Sequence, residues 1–219
     1  MSKPTLVIGS KNYSSWSLRP WLLMRQFDID FDEIKLPLDT PEFYRRIRDY
    51  SPSGRVPALI DGDVRIWDSL AIMEYVNERF LDGRGWPADR AARATARAIS
   101  AEMHSGFAAM RGELPLNCRK RVRDHATSDA AAGDIARVKA IWRQARADFG
   151  RGGVFLFGDF SIADAMYAPV VLRFVSYGVA LEETDRAYAD TILALPAIGD
   201  WLREAETEQL APLHEQTTP

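Results

Sequence analysis

Two kinds of hydrophobic spacing divide the chain. Up to residue 81, short apolar runs alternate with helix-period segments. Thr5-Leu6-Val7-Ile8 predicts a strand over 5 to 9, followed by a helix over about 17 to 28, a strand over 31 to 36 and a helix over about 41 to 48. Strands over 57 to 60 and 64 to 67 and a helix over 69 to 81 complete this part, with Asp61-Gly62 supplying the turn chemistry of a hairpin. Beyond it strand alternation disappears. Residues 88 to 113 and 129 to 149 are alanine-rich, with Ile99, Met103, Phe107 and Met110 at steps of four and three, and predict long helices. Further helices are expected over 161 to 177, 183 to 194 and 197 to 207. The compact run of breakers Asp82-Gly83-Arg84-Gly85-Trp86-Pro87 separates the two regimes. The expected organisation is therefore α/β plus all-α: residues 1–81 around a mixed sheet, a linker at 82–88, and a helical bundle over 89–219.

Composition narrows the class. With 219 residues, 47% hydrophobic and 27% charged, the chain matches an ordinary globular protein. A net charge of −3 gives no electrostatic footprint for nucleic acid. The longest apolar passage, Met166 to Leu181, is interrupted by Arg173 and contains Pro169, Ser176 and Gly178, which reads as a core helix rather than a membrane span. The single cysteine, Cys118, excludes an intrachain disulfide and a Cys-x-x-Cys redox pair. With no targeting signal at the N-terminus, a cytoplasmic location is expected. His104, His125 and His214 lack metal-ligand spacing, so no metal is expected, and neither a P-loop nor a GxGxxG is present.

The chemistry concentrates in two short stretches. Pro57 heads a strand and gives up a ladder donor, which leaves Val56 placed for an extended peptide to pair with its backbone. Asp68-Ser69 opens a helix, where outward-pointing amides favour a carboxylate. Together these describe a pocket for a short, acidic, peptide-like ligand. Upstream, Ser14 and Ser15 precede a helix whose start Pro20 places near Ser17. Serines at such a position are ordinary caps; beside a ligand pocket they become hydrogen-bond donors to a bound group.

These stretches resemble the glutathione site of the cytosolic glutathione transferases. Tyr13-Ser14-Ser15-Trp16-Ser17-Leu18-Arg19 is similar to the serine loop of the serine-type classes, the zeta class in particular, and Gly158-Asp159-Phe160-Ser161-Ile162-Ala163-Asp164 to the capping motif of their helical domain. The likeness implies a thioredoxin-like N-terminal domain, with glutathione as co-substrate. Ser14, or else Ser15, would stabilise the thiolate; Arg55, Val56, Pro57, Asp68 and Ser69 would bind the tripeptide; Tyr13, Trp16, His104, Phe107 and Arg111 would line a second-substrate pocket, the last three sharing one helix face. Asp68 is shorter than the family's usual Glu or Gln, and Trp16 stands where maleylacetoacetate isomerases carry a cysteine. The implied activity is attack of the thiolate on an apolar electrophile, with a zeta-type isomerase or a non-catalytic interaction module as alternatives. A homodimer is implied as well, with Arg90, Arg93 and Arg97 available on its helices. Ser161-x-x-Asp164 is a helix cap by either reading and carries no catalysis.

Overall fold

The computed structural model describes residues 3–209 apart from 124 and 151. Its first part runs β1 (Thr5–Ile8), α1 (Ser15–Gln26), β2 (Asp32–Lys35), α2 (Pro41–Tyr50), β3 (Ala58–Asp61), β4 (Val64–Trp67) and α3 (Ser69–Phe80). The strands lie in the order β2-β1-β3-β4, with β1 and β2 parallel and the other pairs antiparallel. This is the thioredoxin-like arrangement. The period of two in β1 sorts its side chains: Val7 joins Phe43 and Ile47 of α2 on one face, and Leu6 and Ile8 join the core under α1 and α3 on the other.

Two local expectations shift. The hairpin turn falls on Gly62-Asp63, because Asp61 pairs with Val64 and the positive φ of +59° sits on Gly62. Helix α1 starts at Ser15 rather than near Ser17, with Ser14 as its N-cap, so Pro20 lies inside the helix. The ring removes the N–H that would reach the Trp16 carbonyl. Burial of Leu18 and Trp21 through Met24 outweighs that loss.

The second part consists of α4 (Arg90–Ser105), α5 (Ala108–Glu113), α6 (Asp129–Phe149), α7 (Ile162–Ser176), α8 (Glu183–Leu193) and α9 (Pro196–Thr207). The helix expected over 88 to 113 is broken. Gly106 ends α4, and Phe107 takes a left-handed φ of +59° before α5 begins. His104, Phe107 and Arg111 consequently do not share one helix face. Helix α7 is buried along its length except at Val175 and packs against both α1 and α4, so one core runs through both parts.

The segment between α3 and α4 is pinned. Asn77 Oδ1 accepts from Gly85 N at 2.8 Å, and the Gly85 carbonyl accepts from Ile162 N at 2.9 Å. A Cβ on Gly85 would lie 2.8 Å from Asn77 Oδ1, so a larger residue there would displace the side chain that holds the segment.

At the start of α7 the Asp164 carboxylate is fully buried and accepts from Leu156 N, Ser161 N, Ser161 Oγ and Tyr188 Oη at 2.9 to 3.2 Å. Asp164→Ala orphans these four donors together. Thermal unfolding should show a loss of at least about 3 kcal/mol, or roughly 6 °C or more for a chain of this size. A loss below about 1 kcal/mol would show that the cap does not hold α7 in place.

Candidate glutathione site and adjoining cavity

The loop between β1 and α1 carries both candidate serines, and long-range contacts hold it still. Lys11 is 1% exposed, with its Nζ 3.0 Å from Glu33 and 2.7 Å from Glu204, and 4.8 and 5.3 Å from the ring centres of Trp21 and Trp201. The N–H groups of Lys11 and Asn12 both donate to the Glu208 carboxylate at 3.1 Å, and Trp201 Nε1 donates to the Lys11 carbonyl at 2.9 Å. A buried ammonium is tolerated because two carboxylates and two ring faces surround it. Cys118 packs under the same loop, and burial pushes its thiol up to about 12, which leaves it inert.

Within this loop the two hydroxyls differ. Ser14 Oγ accepts from Ser17 N at 3.3 Å and donates to Ser17 Oγ at 2.7 Å, and Ser17 Oγ also accepts from Gly9 N at 3.1 Å. The single hydrogen of Ser14 is thus used inside the cap. Ser15 Oγ accepts from Arg173 Nη2 at 3.1 Å. A guanidinium cannot accept, so the Ser15 hydrogen is left to donate elsewhere. Arg173 is itself anchored, donating to the carbonyls of Leu114 and, at 3.3 Å, Arg111; burial lowers its pKa to about 10, so it stays charged at neutral pH.

Two cavities meet at Trp16. One, of about 500 Å³, is lined by Trp16, Ser53, Arg55, Val56, Pro57, Trp67, Asp68 and Ser69. All five residues expected to bind the peptide are therefore together. The Val56-Pro57 bond is cis, Arg55 is exposed, and Ser69 is fully buried as the first residue of α3. Asp68 caps α3 at φ +76°, its Oδ1 accepting from Leu70 N and Ala71 N, while its Oδ2 lies 3.1 Å from His104 Nε2.

The other cavity, of about 360 Å³, is lined by Tyr13, Ser15, Trp16, Arg111, Pro115, Leu116, Asn117, Lys120, Arg173 and Tyr177. Of the five residues named for a second-substrate pocket, Tyr13, Trp16 and Arg111 line this cavity. Phe107 does not: it is 7% exposed and belongs to the core, because the break after α4 turns it inward. His104 also lies off this wall, edge-on to Trp16 at 5.1 Å, where burial lowers its pKa and Asp68 partly offsets the effect. An apolar electrophile was expected, yet Arg111, Lys120 and Arg173 make the wall cationic, and among the described residues no carboxylate lines it. Trp16 itself is flanked by guanidiniums, with Arg19 at 4.4 Å and Arg111 at 4.6 Å from its ring centre. Arg111 also closes the end of α4 by donating to the His104 carbonyl at 3.2 Å. Sequence reasoning missed Arg173 as a site residue, although a single charge inside the apolar run from Met166 was the available signal.

Residues 13–79 match the glutathione S-transferase N-terminal domain and residues 128–204 the glutathione S-transferase C-terminal domain. The chain belongs to the glutathione S-transferase family. Over 64 residues, 28% of this chain and 22% of the relative, it is 44% identical to a dichloromethane dehalogenase of Methylorubrum extorquens. Over 106 residues, 48% of each chain, it is 34% identical to a probable maleylacetoacetate isomerase of Caenorhabditis elegans. These matches span between about a quarter and half of the curated relatives. A glutathione transferase homolog from Burkholderia, solved with bound glutathione, superimposes with a TM-score of 0.72 at 21% identity over 94% of this chain and 100% of that one. At this identity the superposition speaks for the transferase fold. Among the described residues no helix is long and apolar enough to cross a membrane.

Proposed function

We propose that the protein is a glutathione-dependent transferase that binds the tripeptide along Arg55, Val56, Pro57, Asp68 and Ser69 and activates its thiol with Ser15. The observation that carries this reading is the Arg173–Ser15 hydrogen bond in the wall of the second cavity, next to Trp16, which both cavities share. A free thiol of this kind has a pKa of roughly 8.5, so a neutral-pH enzyme must favour the anion. Ser15 offers a hydrogen bond whose direction is set by Arg173, and the positive charge behind it adds to the effect. Ser14 serves as the cap that keeps Ser15 facing outward. In this scheme the cysteinyl backbone pairs at Val56, the γ-glutamyl end reaches Asp68 and Ser69, and Arg55 meets the glycyl carboxylate.

The thiolate then attacks an electrophile in the adjoining cavity. Its lining of Tyr13, Trp16 and Tyr177 with Arg111, Lys120 and Arg173 suits a substrate with an unsaturated body and an anionic group. That lining supports a second reading, a zeta-type isomerase in which the adduct collapses to an isomer instead of being released as a thioether. A cytoplasmic homodimer is the proposed form. Arg93 and Arg97 are already used within the chain, by the carbonyls of Pro87 and Ala88 and by Glu74, and so offer less to a partner than the sequence suggested. Sedimentation equilibrium should give twice the 24.7 kDa chain mass at micromolar concentration, and a monomer there would refute the dimer.

Ultraviolet titration of bound glutathione tests the assignment of the hydroxyl. In the wild-type protein the thiol should titrate below its free value, and Ser15→Ala should raise it by about one unit, equivalent to about 1.4 kcal/mol. Ser14→Ala should leave that pKa in place and instead cost about 1 kcal/mol of folding stability as a lost cap. The reverse pattern would move the role to Ser14; bound glutathione without turnover on any electrophile would leave a binding module.

A further inference from the structure

Arg19 is the least explained charge in the molecule. It is 2% exposed, makes no ion pair among the described residues, and its Nε has no hydrogen-bond partner. Its polar contact is Nη1 to Ser69 Oγ at 3.4 Å, and its guanidinium lies over the Trp16 ring. Burial, reinforced by Arg111 and Arg173, lowers its pKa to about 9, so it is still a cation at neutral pH. Enclosing an unpaired cation costs several kcal/mol, and an apolar side chain of the same volume would make a better core. The charge is therefore better explained by an anion that arrives from outside.

We propose that Arg19 is a positioning residue that makes Ser69 a one-way hydrogen-bond donor for the α-carboxylate of the γ-glutamyl end of glutathione, an inference that rests on the binding mode given above. Arg19 fills a lone pair of Ser69 Oγ and has no acceptor of its own, so the Ser69 hydrogen is left to point into the cavity that Ser69 lines. The first residue of α3 already sits at a helix N-terminus, where amide dipoles favour an anion, and the buried guanidinium adds a full charge behind it. Next to it Asp68, steadied by His104, supplies the opposite charge. Ser69 and Asp68 thus present a donor and a carboxylate side by side, the complement of an α-ammonium and α-carboxylate on one carbon. The same device recurs at Ser15, where Arg173 takes the place of Arg19.

The test pairs glutathione with 4-aminobutyryl-cysteinylglycine, which keeps the amine, thiol and glycyl carboxylate and lacks only the α-carboxylate. Calorimetry on the full chain should show that the wild-type protein prefers glutathione by about ten- to a hundredfold. Arg19→Gln should remove most of that preference by weakening glutathione and leaving the analogue within about twofold. Arg19→Lys should retain part of it, and in a Ser69→Ala background Arg19→Gln should change the preference no further. Should Arg19→Gln fail to fold, Arg19→Lys and Ser69→Ala carry the test. Equal weakening of both ligands by any folded Arg19 variant, or equal wild-type affinity for the two, would overturn the role of Arg19. A wild-type protein that binds neither would overturn the binding mode itself.

Discussion

A guanidinium can donate hydrogen bonds in a fixed plane but can never accept one, and burial does not strip it of its charge at neutral pH. Arg19 and Arg173 are both buried where the sheet domain meets the helices, and Arg111 lies half-buried beside them. The chemistry of the site follows from that constraint. In the proposed scheme each hydroxyl backed by a buried arginine accepts from the guanidinium and keeps its hydrogen for the ligand, at Ser15 and at Ser69. Ser14 has no arginine behind it and folds into the helix cap instead. Two serines adjacent in sequence thereby acquire different work.

This arrangement requires a rigid loop, and the rigidity comes from the far end of the chain. Glu204 and Glu208 close on Lys11 and on the amides of Lys11 and Asn12, while Trp201 holds the Lys11 carbonyl. Helix α9 thus fastens the loop from behind, and α7 sets Arg173 against its front through the capped N-terminus that Asp164 organises. The helical domain supplies much of the second cavity and the arginine that meets Ser15, whereas Arg19, behind Ser69, comes from α1 of the sheet domain.

Much of this was legible in the sequence. The alternation of Leu6, Val7 and Ile8, the hairpin around Gly62 and the breakers from Asp82 to Pro87 are local signals, and they specified the mixed sheet and the helical remainder. The cluster proposed to bind the peptide was legible because its members lie in two short stretches, 55–57 and 68–69, that line one cavity. What the pattern missed depends on tertiary context. Phe107 fits a helical period, yet Gly106 and a left-handed φ break the helix there and send the ring into the core. Pro20 seemed to fix a helix start, and packing of α1 against α7 overrode it. Arg19 looked like one more charge in a helix, since its burial arises from a contact with Ser69 fifty residues away. The Lys11 cluster joins residues nearly two hundred positions apart, which no periodicity encodes.

The most direct measurement is a crystal structure of the protein with glutathione bound. The sulfur should lie within hydrogen-bonding distance of Ser15 Oγ, with the γ-glutamyl carboxylate on Ser69 and Arg19 still donating to the Ser69 hydroxyl. A sulfur held by Ser14 with Ser15 turned away from the ligand, or a tripeptide seated outside the cavity at Val56 and Ser69, would contradict the arrangement of arginine-backed hydroxyls.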